Sequence, residues 1–100
     1  MSGYRLVYSE TCRSQIMKLH PAIKPVVREC LDRLCEDPFA GKMLERELSG
    51  YCSLHAKRFR IIYRLNEDEM SIEIHYVGHR KDIYELFTEK VTHGKKSAGL

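Results

Sequence analysis

The chain has 100 residues, of which 43% are hydrophobic and 31% charged, a composition typical of one small globular domain. This excludes a disordered or fibrous protein, and the longest apolar runs, such as Ile61–Tyr63, are too short to cross a membrane. The net charge of +3 does not by itself indicate a nucleic-acid partner. Because the first residues lack the pattern of a secretory signal, we expect a cytoplasmic protein with no membrane partner.

The four cysteines predict neither a disulfide scaffold nor a metal site. They are Cys12, Cys30, Cys35 and Cys52. No pair has the C-x-x-C spacing, and no histidine lies at zinc-finger distance from a cysteine pair. No acidic cluster is suited to magnesium either. We therefore expect reduced thiols, no metal and no cofactor.

The first half predicts one strand and two helices. Tyr4–Tyr8 alternates and is rich in aromatic and β-branched residues, which favours a strand. Ser9 suits the N-cap of a helix that ends before His20. A second helix is predicted from about Ala22 to Asp37. The apolar stripes of the two helices are Cys12, Ile16 and Leu19, and then Ile23, Val26, Val27, Cys30, Leu31 and Leu34.

The second half predicts three strands after a connection at Phe39–Glu47. The apolar period changes to two after Gly50, and Asn66–Glu69 has the polar composition of a hairpin turn. A short helix is predicted from Asp82 through Phe87. The predicted strands are Cys52–Ala56, Phe59–Leu65 and Met70–Tyr76.

The predicted elements form an α+β domain, with two N-terminal helices packed on one face of an antiparallel sheet. We expect one domain over residues 1–92 and a loose tail over 93–100, which is rich in Gly, Lys and Ser. Side chains expected to face the helices are Phe59, Ile61, Tyr63, Leu65, Met70, Ile72, Ile74 and Tyr76. Side chains expected on the other face are Ser53, His55, Arg60, Arg64, Ser71, Glu73 and His75. The second face is therefore predicted to be open, polar and rich in cations.

Two motifs make the chain resemble a known family. They are Phe59-Arg60-Ile61-Ile62-Tyr63-Arg64 and Val77-Gly78-His79-Arg80-Lys81-Asp82-Ile83-Tyr84. Together with the element order, they resemble the RelE/ParE superfamily of toxins from type II toxin–antitoxin pairs, from Tyr4 to about Phe87. The second motif is more similar to the RelE branch. The resemblance implies a small β-α-α-β-β-β(-α) domain that cleaves messenger RNA in the ribosomal A site without a metal and is silenced by a cognate antitoxin.

The resemblance also implies a set of catalytic residues. Arg60 matches an arginine that holds the RNA phosphate, and Arg80 matches one assigned to transition-state charge or the leaving group. Tyr84 lies near the tyrosine that stacks on RNA, which in the best-known RelE is a few positions later. His55 stands where relatives commonly carry Lys or Arg, so it would serve as the base. Residues expected to bind the substrate are Lys57, Arg58, Arg64, His75 and Lys81.

Alternatives remain for both the function and the residues. The chain could be a ParE-like toxin that inhibits DNA gyrase without cutting nucleic acid. It could also be an inactive relative that binds the antitoxin. His75 could simply pair across strands with its neighbours, and Arg80 could pair with Asp82 or Glu85 at a helix start. Tyr84 could belong to the apolar underside of the last helix.

Overall fold

A computed structural model of the protein describes residues 3–79 and Phe87. The helices are α1 (Glu10–Met17) and α2 (Lys24–Glu36), and a short 3₁₀ helix spans Arg46–Leu48. The strands are β1 (Arg5–Tyr8), β2 (Lys42–Met43), β3 (Cys52–Ala56), β4 (Phe59–Asn66) and β5 (Ser71–His79). No helix in this described part is long and apolar enough to span a membrane. Phe87 is helical, whereas the rest of the predicted last helix and the tail over 93–100 lie outside the described residues.

The predicted α+β fold, with both helices on one face of the sheet, is confirmed. The Ser9 hydroxyl accepts a hydrogen bond from the Cys12 N–H at 3.0 Å and caps α1. Pro25 lies in the first turn of α2, where its missing N–H costs nothing. The core lies between the helices and one sheet face. Its buried residues are Cys12, Val27, Cys30, Leu31, Leu34, Leu54, Ile61, Tyr63, Ile72, Ile74 and Val77.

The antiparallel pairing predicted for the three C-terminal strands is confirmed, but the five-stranded sheet is mixed rather than antiparallel throughout. Its order is β1-β5-β4-β3-β2, and β1 runs parallel to β5, with Arg5 opposite Ser71 and Tyr8 opposite Ile74. The alternation of Tyr4–Tyr8 predicts which side chains are buried but not which strand lies alongside. Strand β2 within the predicted connection was also missed, because two residues carry no measurable period.

Ser9, the N-cap of α1, and Gln15 within the helix complete the edge of β5 beyond the end of β1. The Ser9 hydroxyl donates to the carbonyl oxygen of His75 at 3.1 Å. The Gln15 side-chain oxygen accepts from the Val77 N–H at 2.8 Å. Backbone groups that a longer β1 would have satisfied are thus paired by the helix.

The prediction that Tyr76 faces the helices is wrong, because β5 contains a β-bulge. Ile62 pairs with Tyr76 but Tyr63 pairs with Ile74, so His75 is an extra residue in β5. The alternation is shifted by one position there, and Tyr76 faces away from the helices. Met70 also differs from its prediction: it lies in the turn before β5 with φ of +50°, and it is 45% exposed.

We call the sheet face away from the helices the second face, and it is not the open polar surface that was predicted. A small apolar cluster covers its centre. The buried members are Leu48, Ile62 and Phe87, and the half-buried members are Leu44, Tyr51 and Tyr76. Ile62 has no exposed surface, because the segment before β3 folds over it. The polar side chains of this face are therefore divided into two groups.

Candidate active site

The first group contains His55 and Arg60, which are direct neighbours. In the antiparallel register His55 of β3 is opposite Arg60 of β4, and Arg60 is opposite Gly78 of β5. Directly opposed residues project from the same face of a sheet. His55 is exposed, whereas Arg60 is half-buried and its Nε atom is fully covered. The sheet thus brings together an imidazole and a guanidinium that the sequence predicted as partners in catalysis.

The position of His55 is fixed by α2. Its carbonyl oxygen accepts from the Cys30 thiol at 3.4 Å and from the Arg33 guanidinium at 3.5 Å. Strand β2 pairs only with Ser53 and Cys52, so it does not reach this part of β3. The two helix side chains therefore hold the strand from the core side while the imidazole remains on the other face.

Lys57 and Arg58 form the turn between β3 and β4, next to His55 and Arg60. Both are exposed, and Lys57 has a φ of +56°, in the left-handed region that tight turns require. The segment from Ser53 to Arg64 contains no acidic residue. We call His55, Lys57, Arg58 and Arg60 the basic end of the second face.

Arg64 and His75 lie in the other group, where one carboxylate meets both. The Glu73 carboxylate is 3.3 Å from Arg64 Nε and 3.2 Å from His75 Nε2. The Arg64 guanidinium also lies over the Tyr51 ring at 5.9 Å, and the His75 ring meets Tyr51 edge-on at 5.3 Å. We call Tyr51, Arg64, Glu73 and His75 the paired end. Arg64 is four positions beyond Arg60, about 13 Å along the strand, so the structure separates it from the basic end.

A cleft that the sequence did not predict opens beside Arg60. Its volume is about 420 Å³, and we call it the Arg60 cleft. It is lined by Lys42, Met43, Leu44, Glu45, Leu48 and Arg60. Lys42 and Glu45 are the charged residues that sequence reasoning missed. In the sequence, Gly41 indicates a bend in the connection before β3. It does not indicate that the residues after the bend pair with β3 and line a cleft beside Arg60.

Tyr63 holds the turn that leads into this cleft. Its buried hydroxyl accepts from the Gly41 N–H at 2.9 Å and donates to the Pro38 carbonyl oxygen at 3.3 Å. Burial raises the pKa of Tyr63 to about 12, so the hydroxyl stays protonated and able to donate at neutral pH. A Cβ atom at Gly41 would meet the Ser53 carbonyl oxygen at 2.6 Å and the Tyr63 hydroxyl at a still shorter distance. Only glycine fits at this position.

The cysteines are not candidates for nucleophilic chemistry. Burial raises the pKa of the Cys12 and Cys30 thiols to about 11, so both are protonated at neutral pH. All four cysteines are free. Within residues 3–79 and Phe87, no three His, Cys, Asp or Glu side chains are grouped so that they could hold a metal ion.

The remaining predicted site residues, Arg80, Lys81 and Tyr84, lie outside the described residues. Arg80 directly follows His79, the last residue of β5. Two positions earlier in that strand, Gly78 is opposite Arg60.

Comparisons with known proteins identify the family to which the chain belongs. The family model for the ParE toxin of type II toxin–antitoxin systems, parDE, matches residues 4–84. The chain belongs to this family. Toxin RelG of Mycobacterium tuberculosis is 35% identical over 83 residues, which are 81% of this chain and 95% of that toxin. The predicted resemblance to RelE/ParE toxins is confirmed.

Solved structures of such toxins share the fold. The RelBE2 toxin–antitoxin complex of M. tuberculosis matches with a TM-score of 0.71 and 33% identity, over 77% of this chain and 98% of that one. The isolated Escherichia coli RelE toxin matches with a TM-score of 0.67 over 89% of this chain and 99% of that one. Its identity is 17%, so it shows the fold alone. The protein is a toxin of the RelE/ParE family of type II toxin–antitoxin systems.

Proposed function

We propose that this toxin is a RelE-type endoribonuclease that cleaves messenger RNA in the ribosomal A site without a metal and is inhibited by a cognate antitoxin. The observation that carries the proposal is the pairing of His55 with Arg60 in one register row of the second face. Lys57 and Arg58 are in the adjoining turn, and that row contains no acidic residue. Such a cationic surface attracts the anionic phosphate backbone of RNA.

The chemistry follows from what metal-free RNA cleavage requires. The 2′-hydroxyl attacks the adjacent phosphorus once a base removes its proton, and the bond to the 5′-oxygen breaks as that oxygen takes up a proton. His55 is the proposed base, because a neutral imidazole has a ring nitrogen that can accept the proton of the 2′-hydroxyl. Arg60 would hold the non-bridging oxygens, since its guanidinium presents a planar fork of donors that keeps its charge.

The other residues are assigned from the family resemblance and from the basic charge of their side chains. Lys57, Arg58 and Lys81 would hold neighbouring phosphates, Arg80 would stabilise the transition state or leaving group, and Tyr84 would stack on a base. In the paired end, Glu73 offsets the positive charge of Arg64 and, when protonated, of His75. We therefore assign Arg64 and His75 to the stability of the second face rather than to RNA.

An antitoxin partner is supported by exposed apolar surface on the helix side. A groove of about 530 Å³ lies between α1, α2 and β1, with Leu6, Ile16 and Leu31 among its lining. Met17 at its rim is 78% exposed. An amphipathic segment of an antitoxin would cover such apolar surface. The M. tuberculosis RelBE2 structure is that of a toxin bound to its antitoxin.

The test expresses the chain without its antitoxin and compares it with Arg60→Ala and with Arg28→Ala. Arg28 is exposed on α2, so its replacement removes the same charge on the helix side of the sheet. We expect the wild type and Arg28→Ala to stop translation and leave messengers cut within codons, as mapped by primer extension. Arg60→Ala should lose about 100-fold in cleavage by purified ribosome complexes, because a group facing the transition-state charge is removed.

Other outcomes decide among the alternatives. Intact messengers together with inhibition of gyrase supercoiling would establish the ParE-like function instead. Normal growth without antitoxin, at a protein level confirmed by blotting, would establish an inactive relative. Equal cleavage by Arg60→Ala and wild type would remove the proposed site even if the chain is a nuclease.

A further inference from the structure

Lys42 lies on the same face of the sheet as Arg60, although it comes from the edge strand β2. Lys42 is opposite Ser53 of β3, and Ser53 is opposite Ile62 of β4. Ile62 belongs to the apolar cluster of the second face. Since directly opposed residues of antiparallel strands share a face, Lys42 also belongs to the second face.

The Arg60 cleft joins these two cations. Lys42 and Arg60 both line it, and its volume of about 420 Å³ gives space for part of a nucleotide. Lys42 is exposed. None of the ion pairs among residues 3–79 involves Lys42. Its ammonium group is therefore available to an anion that enters the cleft, in contrast to Arg64, which already contacts a carboxylate.

The backbone that carries Lys42 is held in place. The residue before it, Gly41, donates its N–H to the buried Tyr63 hydroxyl, and Lys42 itself pairs with β3. A cation on a fixed backbone loses less conformational entropy on binding than one on a mobile loop. Tyr63, on the helix side of the sheet, thus holds the backbone beside the cleft on the second face. We call the hydrogen bond between the Gly41 N–H and the Tyr63 hydroxyl the clasp.

We propose that Lys42 binds a phosphate of the RNA strand next to the phosphate held by Arg60, so that the Arg60 cleft is the path of the RNA backbone across the toxin. The inference rests on the proposed function and adds a contact that the motifs did not include. Glu45 lines the same cleft and carries the opposite charge. The Glu45 carboxylate lowers the affinity of the cleft for an anion. Removing the charge of Lys42 should therefore weaken RNA binding, and removing the charge of Glu45 should strengthen it.

The experiment measures two quantities for Lys42→Ala, Lys42→Arg and Glu45→Gln. One is single-turnover cleavage at increasing concentrations of ribosome–mRNA complex, and the other is fluorescence anisotropy of a labelled single-stranded RNA at several salt concentrations. Lys42→Ala should raise the half-saturating concentration about 10-fold with little change in the maximal rate, and Lys42→Arg should restore it. The slope of log affinity against log salt should fall by about one in Lys42→Ala. Glu45→Gln should bind RNA about 2-fold more tightly.

Lys24→Ala is the matched control, because Lys24 is an exposed lysine at the start of α2. It should behave like the wild type in both assays. Cleavage and binding by Lys42→Ala equal to the wild type would overturn the inference while leaving the proposed nuclease intact. If the wild type binds RNA without cutting it and Lys42→Ala binds more weakly, the cleft assignment stands and the proposed nuclease fails. Unchanged or weaker binding by Glu45→Gln would place the RNA elsewhere.

Discussion

Two arginines on one strand of this toxin have opposite surroundings. Arg60 and Arg64 both project from the second face of β4, four residues apart. Arg64 lies between a carboxylate and an aromatic ring: Glu73 at 3.3 Å and the Tyr51 ring at 5.9 Å. Arg60 lies between His55 and Gly78 in the register, beside a cleft. The same side chain therefore has two different environments on one strand.

In our proposal, the second face is divided between a paired end that stabilises the sheet and a basic end that binds and cleaves RNA. At the paired end, the Glu73 carboxylate offsets the charge of Arg64, and the rings of Tyr51 and His75 pack edge-on. These side chains therefore stabilise one another's positions. At the basic end, backbone contacts hold the strands instead, such as those from Cys30 and Arg33 to the His55 carbonyl oxygen. The side chains of His55 and Arg60 project from the other face of these strands.

Replacing each arginine separately gives the largest expected difference. Arg60→Gln should reduce single-turnover cleavage of ribosome-bound mRNA about 100-fold with little loss of stability. Arg64→Gln should change cleavage by less than about 3-fold, because the charge that it removes is already matched by Glu73. Both rates are measured at saturating substrate, and thermal melts check that both variants are folded.

Similar losses in the two variants would contradict this division of the face. Such a result would mean that RNA runs along the whole strand and breaks the Arg64–Glu73 pair when it binds. A loss in Arg64→Gln alone would place the scissile phosphate at the paired end, next to His75.

The sequence predicted the elements well, because their signals are local. The stripe of α2 and the cap at Ser9 depend on the spacing of near neighbours, and both are present in the structure. The row of His55 and Arg60 was also within reach, since alternation in two adjacent strands puts both side chains on one face. The family motifs around Arg60 then supplied the expected chemistry.

The sequence did not predict features that depend on distant contacts. The bulge at His75 is held by Ser9, 66 positions away, and it moves Tyr76 to the second face. The Arg60 cleft depends on a two-residue strand and on the clasp between Gly41 and Tyr63. Nothing in the local pattern around these residues indicates such partners. Charge signs in the sequence likewise did not show that Glu73 neutralises one arginine and not the other.

Gly41→Ala tests whether the wall of the Arg60 cleft is held by the clasp. The added Cβ would collide with the Ser53 carbonyl oxygen and the Tyr63 hydroxyl. We expect the free energy of unfolding in urea to fall by about 2–3 kcal/mol, and RNA affinity to fall with it. Gly50→Ala is the matched control, because a Cβ there meets nothing within 4 Å and only the φ of +93° is unfavourable. It should lose about 1 kcal/mol. Equal losses of unfolding free energy in Gly41→Ala and Gly50→Ala would contradict this. They would show that the turn at Gly41 accommodates a Cβ atom and that the clasp does not position Lys42.

The smallest expected effect is the coupling within the paired end. A double-mutant cycle with Arg64→Ala and Glu73→Ala should give a coupling energy of about 0.5 kcal/mol in urea unfolding, because the Arg64 side chain is 50% exposed and water screens the pair. The coupling should diminish in 1 M salt, where the screening length is about 3 Å. The pair of Arg5 and Glu69 is the control, since its atoms are 3.8 Å apart and both side chains are more exposed, and it should show no measurable coupling. A coupling above about 1.5 kcal/mol at Arg64 and Glu73 would instead indicate a water-excluded network. The paired end would then be the more rigid of the two, and the modest effect expected for Arg64→Gln on cleavage would have to be revised.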